Sequence, residues 1–292
     1  MQNRFFEIEK KANQLRADTL AMCIKAGTGH VTSSMCCAEI LATLYYADLV
    51  KHDPKNPDWP DRDRFVLSKG QASPILYALL ADRGFFPKKW LSLFARGINE
   101  LGREAPFGVH LQCTVPGVEF TTGSLGIGLG YAAGVAEVAK TDGKSHRVFV
   151  LLGDGELYEG SNWEVAGYAA HHKLNNLIAV VDRNGMCTND YTEKIVALEP
   201  LDKKWEAYGW DVVTVNGHSV SQLYEALSAA VSASSDRPKV IIAKTIKGRG
   251  IPSMIGKLYL HGVTPTEEAA DLAMRELSEF AKQHEAQGKY DE

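Results

Sequence analysis

Two apolar runs that never alternate constrain this chain more than any other feature: Val148-Phe149-Val150-Leu151-Leu152, and Asn176 to Val181, which reads Asn-Leu-Ile-Ala-Val-Val. A strand with one wet face alternates apolar and polar residues, so unbroken runs of this length describe central strands of a parallel sheet, covered on both faces. Between them, Glu159 to Leu174 holds no proline and spaces Trp163, Ala166, Ala170 and Leu174 by three and four residues, which predicts a helix. Parallel neighbours need such a crossover. The unit is strand, helix, strand, and the same alternation along the chain predicts an α/β fold with a parallel sheet and helices on both faces.

The first run ends in Gly153-Asp154-Gly155, and Asn184 follows the second. In open α/β sheets ligands bind beyond the carboxyl ends of the strands. Asp154 and Asn184 therefore fall at equivalent ends of two neighbouring strands, within reach of one ion, and Gly153 and Gly155 leave room for a polyanion beside the backbone. A carboxylate and an amide oxygen are hard ligands, suited to magnesium or calcium that keeps open positions for phosphate oxygens. Alone, Gly-Asp-Gly reads equally well as a plain turn, because Asp and Gly are ordinary turn residues. The full crossover unit between Asp154 and Asn184 is what favours a site.

Elsewhere the pattern predicts helices over 4–26 and 35–49, a surface loop over 52–63, a strand over 64–68, and helices over 72–83, 87–96 and 124–140. Residues 97–122 read as irregular, site-forming loop. Further on come a helix near 201–208, strands over 210–215 and 239–245 flanking a helix over 219–234, a long loop to about 264 and a polar helix from Thr266. With 292 residues, 45% of them hydrophobic, and no internal repeat, the chain reads as one domain, 1–292, with a sizeable core.

The net charge is −4 and Lys and Arg are dispersed, which leaves no basic stripe and argues against a nucleic-acid partner. Five cysteines, an odd number without metal-ligand spacing, fit reduced, buried thiols in the cytoplasm. No apolar stretch approaches the ~20 residues of a membrane span, and no export signal is visible. The expectation is a soluble cytoplasmic chain with no membrane partner.

Gly153-Asp154-Gly155 followed by Asp182-Arg183-Asn184 resembles the thiamine diphosphate signature, and Gly-Asp-Gly-Glu-Leu-Tyr-Glu-Gly is similar to the form seen in transketolases. Four more segments agree in order: Thr28-Gly29-His30, Arg64 to Gly70, Pro116 to Gly126, and Lys244 to Gly250 with His261-Gly262. The resemblance covers nearly the whole chain and implies the diphosphate-binding domain of that family, with thiamine diphosphate and Mg2+ (or Ca2+) as cofactors. It implies transfer of a two-carbon ketol unit from a ketose or ketose phosphate to an aldose or aldose phosphate. A complete transketolase-like chain also carries pyrimidine-binding and C-terminal domains, so the implied form is the N-terminal subunit of a split enzyme. A partner chain would supply those domains and the cofactor-activating glutamate, in a heterotetramer of two plus two. A 1-deoxyxylulose-phosphate synthase or the α chain of a 2-oxo-acid dehydrogenase shares the fold, but both families differ at the Gly-Asp-Gly-Glu and Lys-Thr-Ile-Lys segments. A non-catalytic regulatory protein is a third reading, and intact Asp154 and Asn184 argue against it.

The resemblance also assigns site residues. His30, His110 and His261 match histidines lining the substrate channel, suited to hydrogen-bonding ketose hydroxyls and accepting a proton from the leaving aldehyde's hydroxyl; around His110 the alignment needs a one-residue adjustment and Leu111 replaces a proline. Asp154, Asn184 and the main-chain carbonyl of Met186 match the metal shell. Gly123, Ser124 and Leu125 match a segment touching the aminopyrimidine and diphosphate, although Ser124 alone reads as a helix cap. Gly153, Gly155, Asn184 and His261 complete the cofactor set, and Glu159 matches a glutamate at the subunit interface. Lys244 and Lys247 end the last strand, as a solvated pair or as a diphosphate contact, with Lys244 taken into the cofactor set. Gln71 stands where transketolases typically carry histidine after Leu-Ser-x-Gly, facing the diphosphate and the donor's end.

Overall fold

The computed structural model of the chain describes residues 2–96 and 107–287. Five strands, β1 (Arg64–Leu67), β2 (Val148–Gly153), β3 (Leu177–Arg183), β4 (Asp211–Asn216) and β5 (Lys239–Lys244), form one sheet in the order β1-β2-β3-β5-β4, every pair parallel. The two apolar runs are inner strands, and every residue of β2 and β3 is buried.

Their side chains divide by parity, as the pleat requires. Phe149, Leu151, Ile178 and Val180 pack on one face with residues of the Gln2–Ala26, Ala38–Tyr46, Ser73–Arg83 and Val220–Ser232 helices. Val150, Leu152, Ala179 and Val181 pack on the other, with residues of the Gly128–Thr141, Gly160–His171 and Leu201–Ala207 helices. The crossover helix between β2 and β3 lies on this second face. The step from β4 back to β5 runs the opposite way along the sheet, and its helix, Val220–Ser232, lies on the first face. A constant right-handed crossover demands that change of face.

Three predicted helices are corrected. The helix expected over 35–49 is two, Val31–Met35 and Ala38–Tyr46. The break falls at Cys36 and Cys37, where the Cys36 thiol turns away to donate to Asp182 Oδ2 at 2.9 Å. The helix expected over 87–96 is a 3-10 segment, Lys88–Leu93, and Pro87 stands before it with extended backbone. The helix expected from Ser124 begins at Gly128, because Gly126 has φ +83° and is locked outside it. Its N–H donates to Glu156 Oε1 at 3.0 Å, and its carbonyl accepts from Ser161 Oγ at 2.8 Å. Of the expected site-forming loop, 97–106 lie outside the described residues, and 107–122 contain no regular element.

Candidate active site at the carboxyl ends of β2 and β3

β2 and β3 pair with Gly153 opposite Asp182, so Asp154 and Asn184 leave the sheet side by side. They open a cleft of about 290 Å3 whose walls include Lys69, Gln71, Leu125, Glu159, Lys247 and His261. Gly153, Gly155 and Met186 also line it.

Asp154 is 1% exposed. Its Oδ2 accepts from Gly185 N at 2.6 Å and Arg183 Nη1 at 2.9 Å, while its Oδ1 accepts from Gly155 N at 2.9 Å. Burial pushes its pKa up, the neighbouring Asp182 adds to that, and Arg183 and the Gly185 N–H oppose them. Asn184 Oδ1 accepts from Met186 N at 3.1 Å. Each of these two oxygens, Asp154 Oδ1 and Asn184 Oδ1, accepts one described hydrogen bond and so keeps a lone pair for a hard cation. Among the described residues no group of three or more His, Cys, Asp and Glu forms a metal site. An ion here would draw its remaining ligands from a carbonyl such as Met186's, from phosphate or from water.

Beneath the floor lies a second carboxylate, Asp182, fully buried. It takes Lys69 Nζ and Cys36 Sγ on Oδ2 and Thr245 Oγ1 on Oδ1. Burial alone would raise the Asp182 carboxyl, but the Lys69 ammonium and the hydrogen bonds from Cys36, Lys69 and Thr245 together hold it below its ordinary range. Lys69, which burial alone would depress, is held above its ordinary value by Asp182 together with the neighbouring Cys36 and Cys37. Glu156, 2% exposed, accepts from Ser68 Oγ, Gly126 N at 3.0 Å and Gly153 N at 3.1 Å, so one carboxylate ties β1, the Gly126 turn and the Gly-Asp-Gly turn together. Sequence reasoning assigns no role to Lys69, Asp182 or Glu156. Asp182 carries a signal, since a carboxylate closing a continuous apolar strand needs a partner.

Past β5 the chain keeps a period of two: Lys244 and Ile246 are exposed, while Thr245 and Lys247 are buried. Lys244 therefore points away and does not line the cleft, and Lys247 does. Lys247 Nζ meets His261 Nδ1 at 2.7 Å, and burial lowers its pKa. Parity counted from the apolar Ile242 and Ala243 separates the two lysines.

His261 adjoins His30, whose ring adjoins His110, at centroid distances of 5.6 and 5.5 Å. The three predicted histidines thus form one cluster, reaching the cleft through His261. Lysine can only donate, so His261 Nδ1 accepts and Nε2 carries the hydrogen, turned to Thr188 Oγ1 at 3.4 Å. His30 Nδ1 is buried without a partner. Burial lowers both His30 and His261 to about 4, with added repulsion from His110 and Lys247 on the first and from Lys247 and His30 on the second. Gly123 packs on His110, 3.1 Å from where its Cβ would sit, and its carbonyl accepts from Gln71 Nε2 at 3.2 Å. Ser124 is exposed, lies outside the cleft and caps no helix. Glu159 stands just before the Gly160–His171 helix at the cleft's rim.

Comparison with known proteins agrees with this fold. Residues 8–285 match the family model described as transketolase, thiamine diphosphate binding domain. The chain is 40% identical over 277 residues to the 6-deoxy-6-sulfo-D-fructose transketolase subunit SqwG of Clostridium sp. (strain MSTE9), covering 95% of this chain and 98% of that one. It is 36% identical over 274 residues to an apulose-4-phosphate transketolase subunit of Actinobacillus succinogenes, covering 94% and 96%. Against human transketolase it is 38% identical over 280 residues, covering 94% of this chain but 43% of that one. The solved transketolase of Campylobacter jejuni superposes with a TM-score of 0.81 at 30% identity, covering 96% of this chain and 47% of that chain. With a cleft of this form on a fold of this form, the chain belongs to the transketolase family, as a transferase subunit built on that family's thiamine diphosphate-binding domain.

Proposed function

We propose that this chain holds the diphosphate and divalent-ion end of thiamine diphosphate for a split transketolase whose partner chain carries the pyrimidine-binding and C-terminal domains. The observation that carries the reading is the convergence, in one cleft, of the Asp154 and Asn184 oxygens with the buried ammonium of Lys247. Oxygens that keep lone pairs suit magnesium, and the ammonium suits phosphate. The Met186 carbonyl is the third metal ligand in this reading.

Bound thiamine diphosphate supplies the electron sink for carbon–carbon cleavage beside a carbonyl. The chain's own residues orient and move protons. His30, neutral through the physiological range and with an unmet nitrogen, is the proton acceptor for a donor hydroxyl. His261, with Nδ1 engaged by Lys247, offers Nε2–H to a hydroxyl oxygen, and His110 extends the same wall. Leu125 and Gly123 form the approach to the cofactor's ring, and Gln71 sits where the donor's far end would lie.

Substrates in this reading are a ketose or ketose phosphate donor and an aldose or aldose phosphate acceptor. The named substrates of the two subunit relatives support a donor outside the commonest sugar phosphates. Assembly is a heterotetramer of two plus two, with Glu159 at the rim between paired sites. Free cysteines support a cytoplasmic location. Calorimetry with magnesium and thiamine diphosphate, on the chain alone and with the neighbouring subunit, tests the shared site. Weak binding alone and tight binding together is expected, and tight stoichiometric binding by the isolated chain overturns the proposal. Light scattering of the pair tests the assembly, and a stable, active 1:1 heterodimer contradicts it.

A further inference from the structure

Lys247 reaches the cleft from a segment that has left the sheet; the Thr245 and Gly248 N–H groups tie it to Arg183 O and Thr32 O, and between them a buried side-chain relay holds Ile246. Arg16, fully buried in the first helix, donates from Nη2 to both oxygens of Glu39 at 2.5 and 2.6 Å. Glu39 Oε2 lies 3.1 Å from His218 Nδ1, and His218 Nε2 lies 2.8 Å from the Ile246 N–H, one residue before Lys247. A backbone N–H only donates, so Nε2 is the acceptor and Nδ1 carries the hydrogen given to Glu39. Glu39 thereby fixes the tautomer that lets His218 hold Ile246. Burial would raise the Glu39 carboxyl, but Arg16 and His218 together hold it down at about 2.

The relay also reaches the short helix behind His30. Arg16 Nε donates to Met35 O at 3.1 Å, at the end of the short helix that begins just after His30. The turn carrying His218 is pinned against β5, with Gly217 N donating to Lys244 O at 2.7 Å. A Cβ on Gly217 would come within 2.5 Å of Thr245 Cγ2. None of Arg16, Glu39 and His218 lines the cleft.

We infer that His218 is a positioning residue for diphosphate binding: held in one tautomer by Glu39 and Arg16, it fixes the Ile246 backbone and so aims the Lys247 ammonium into the cleft. The inference rests on the proposed role of Lys247. Two substitutions separate positioning from packing. Glutamine can place its carbonyl oxygen where Nε2 stands and still accept from Ile246, whereas asparagine can replace Nδ1 toward Glu39 but is too short to reach Ile246. Both lose similar volume from the same buried place.

The experiment compares wild type, Lys247→Met, His218→Asn and His218→Gln as full chains reconstituted with the partner, by titration with thiamine diphosphate at fixed magnesium. Hydrogen exchange of the segment around 244–250 is measured in the chain alone. Lys247→Met should weaken binding by about tenfold or more, the scale of one charge-assisted phosphate contact. His218→Asn should reproduce most of that loss, raise KM for the cofactor more than it lowers kcat, and speed exchange at Ile246. His218→Gln should restore both. If Lys247→Met binds as wild type, the role of Lys247 is wrong. If Lys247→Met fails but His218→Asn and His218→Gln bind alike, or exchange at Ile246 is unchanged in His218→Asn, the positioning inference alone is overturned.

Discussion

The cleft has two walls built on opposite principles. On the Asp154 side, the buried carboxylates of Asp154, Asp182 and Glu156 each take two or more described donors, and their neighbours Arg183 and Lys69 are ion-paired. On the histidine side, His30 keeps a buried nitrogen without a partner, and Lys247 has a neutral ring as its polar contact. Satisfied networks hold shape, and unmet groups cost free energy until a ligand meets them. The first wall's buried charges are therefore met by the chain's own donors, and the second keeps polar groups that the chain itself leaves unmet.

That contrast breaks most readily at Asp154. Asp154→Ala should abolish detectable binding of thiamine diphosphate with magnesium in the reconstituted complex. It should also destabilise the fold by roughly 1–3 kcal/mol, because the Gly155 and Gly185 N–H groups lose their acceptor while Arg183 keeps Glu193 and Glu199. Titration calorimetry and urea unfolding of the same sample read both. Full stability with lost binding would mean that this carboxylate does not hold the cradle together.

On the other wall the expectation inverts. His30→Ala and His261→Ala should each lower kcat/KM by about 10²–10⁴-fold, the usual range for a general acid–base group, with a stability cost well below that of Asp154→Ala. Steady-state kinetics beside the same urea curves decide it. A histidine variant that unfolds like Asp154→Ala would erase the distinction.

The pH response sharpens it further. His30 and His261 sit at about 4 in the folded chain, below the ordinary histidine value of 6.5. As pH falls through that window the unfolded chain takes up protons that the folded chain refuses. The stability these rings contribute by staying neutral is therefore present above about 6.5 and is lost toward about 4. Urea midpoints measured across that span should fall for the wild type and fall less for the His30→Asn, His261→Asn double variant. Identical slopes would remove the histidines as the cause.

Much of this architecture is legible in the residues alone. The paired apolar runs locate the sheet's centre because double burial leaves no room for polar residues, and the turns after them locate Asp154 and Asn184. What escapes depends on contacts remote in sequence. Asp182 meets Lys69 across 113 residues, and Glu156 collects donors from two other turns. The Gly126 turn delays the helix expected at Ser124 because Glu156 and Ser161 hold it, and nothing local to Ser124 records that. The exchange of Lys244 for Lys247 in the cleft is different in kind, since the strand's parity carries that signal within a few residues.

The smallest expected effect lies at Gln71, which spans the walls through its bond to Gly123 O. Gln71→His in the reconstituted complex should leave total activity within a few fold and shift the ranking of kcat/KM between xylulose 5-phosphate and alternative ketoses, because glutamine cannot become charged where histidine can. If wild type already prefers xylulose 5-phosphate and the ranking does not move, Gln71 is a tolerant contact with no part in selectivity.

The strand order carries a consequence for how the chain is made. β5 is the last strand synthesised, yet it sits between β3 and β4. Until it emerges from the ribosome, the edge of β3 that will receive it presents unpaired backbone groups beside the apolar run Leu177 to Val181. Vectorial synthesis thus leaves a buried, largely apolar edge open while the residues between Arg183 and Lys239 are added. A nascent chain stalled in that interval would be a natural client for chaperones, and release of its C-terminal segment would join β4 to the rest of the sheet.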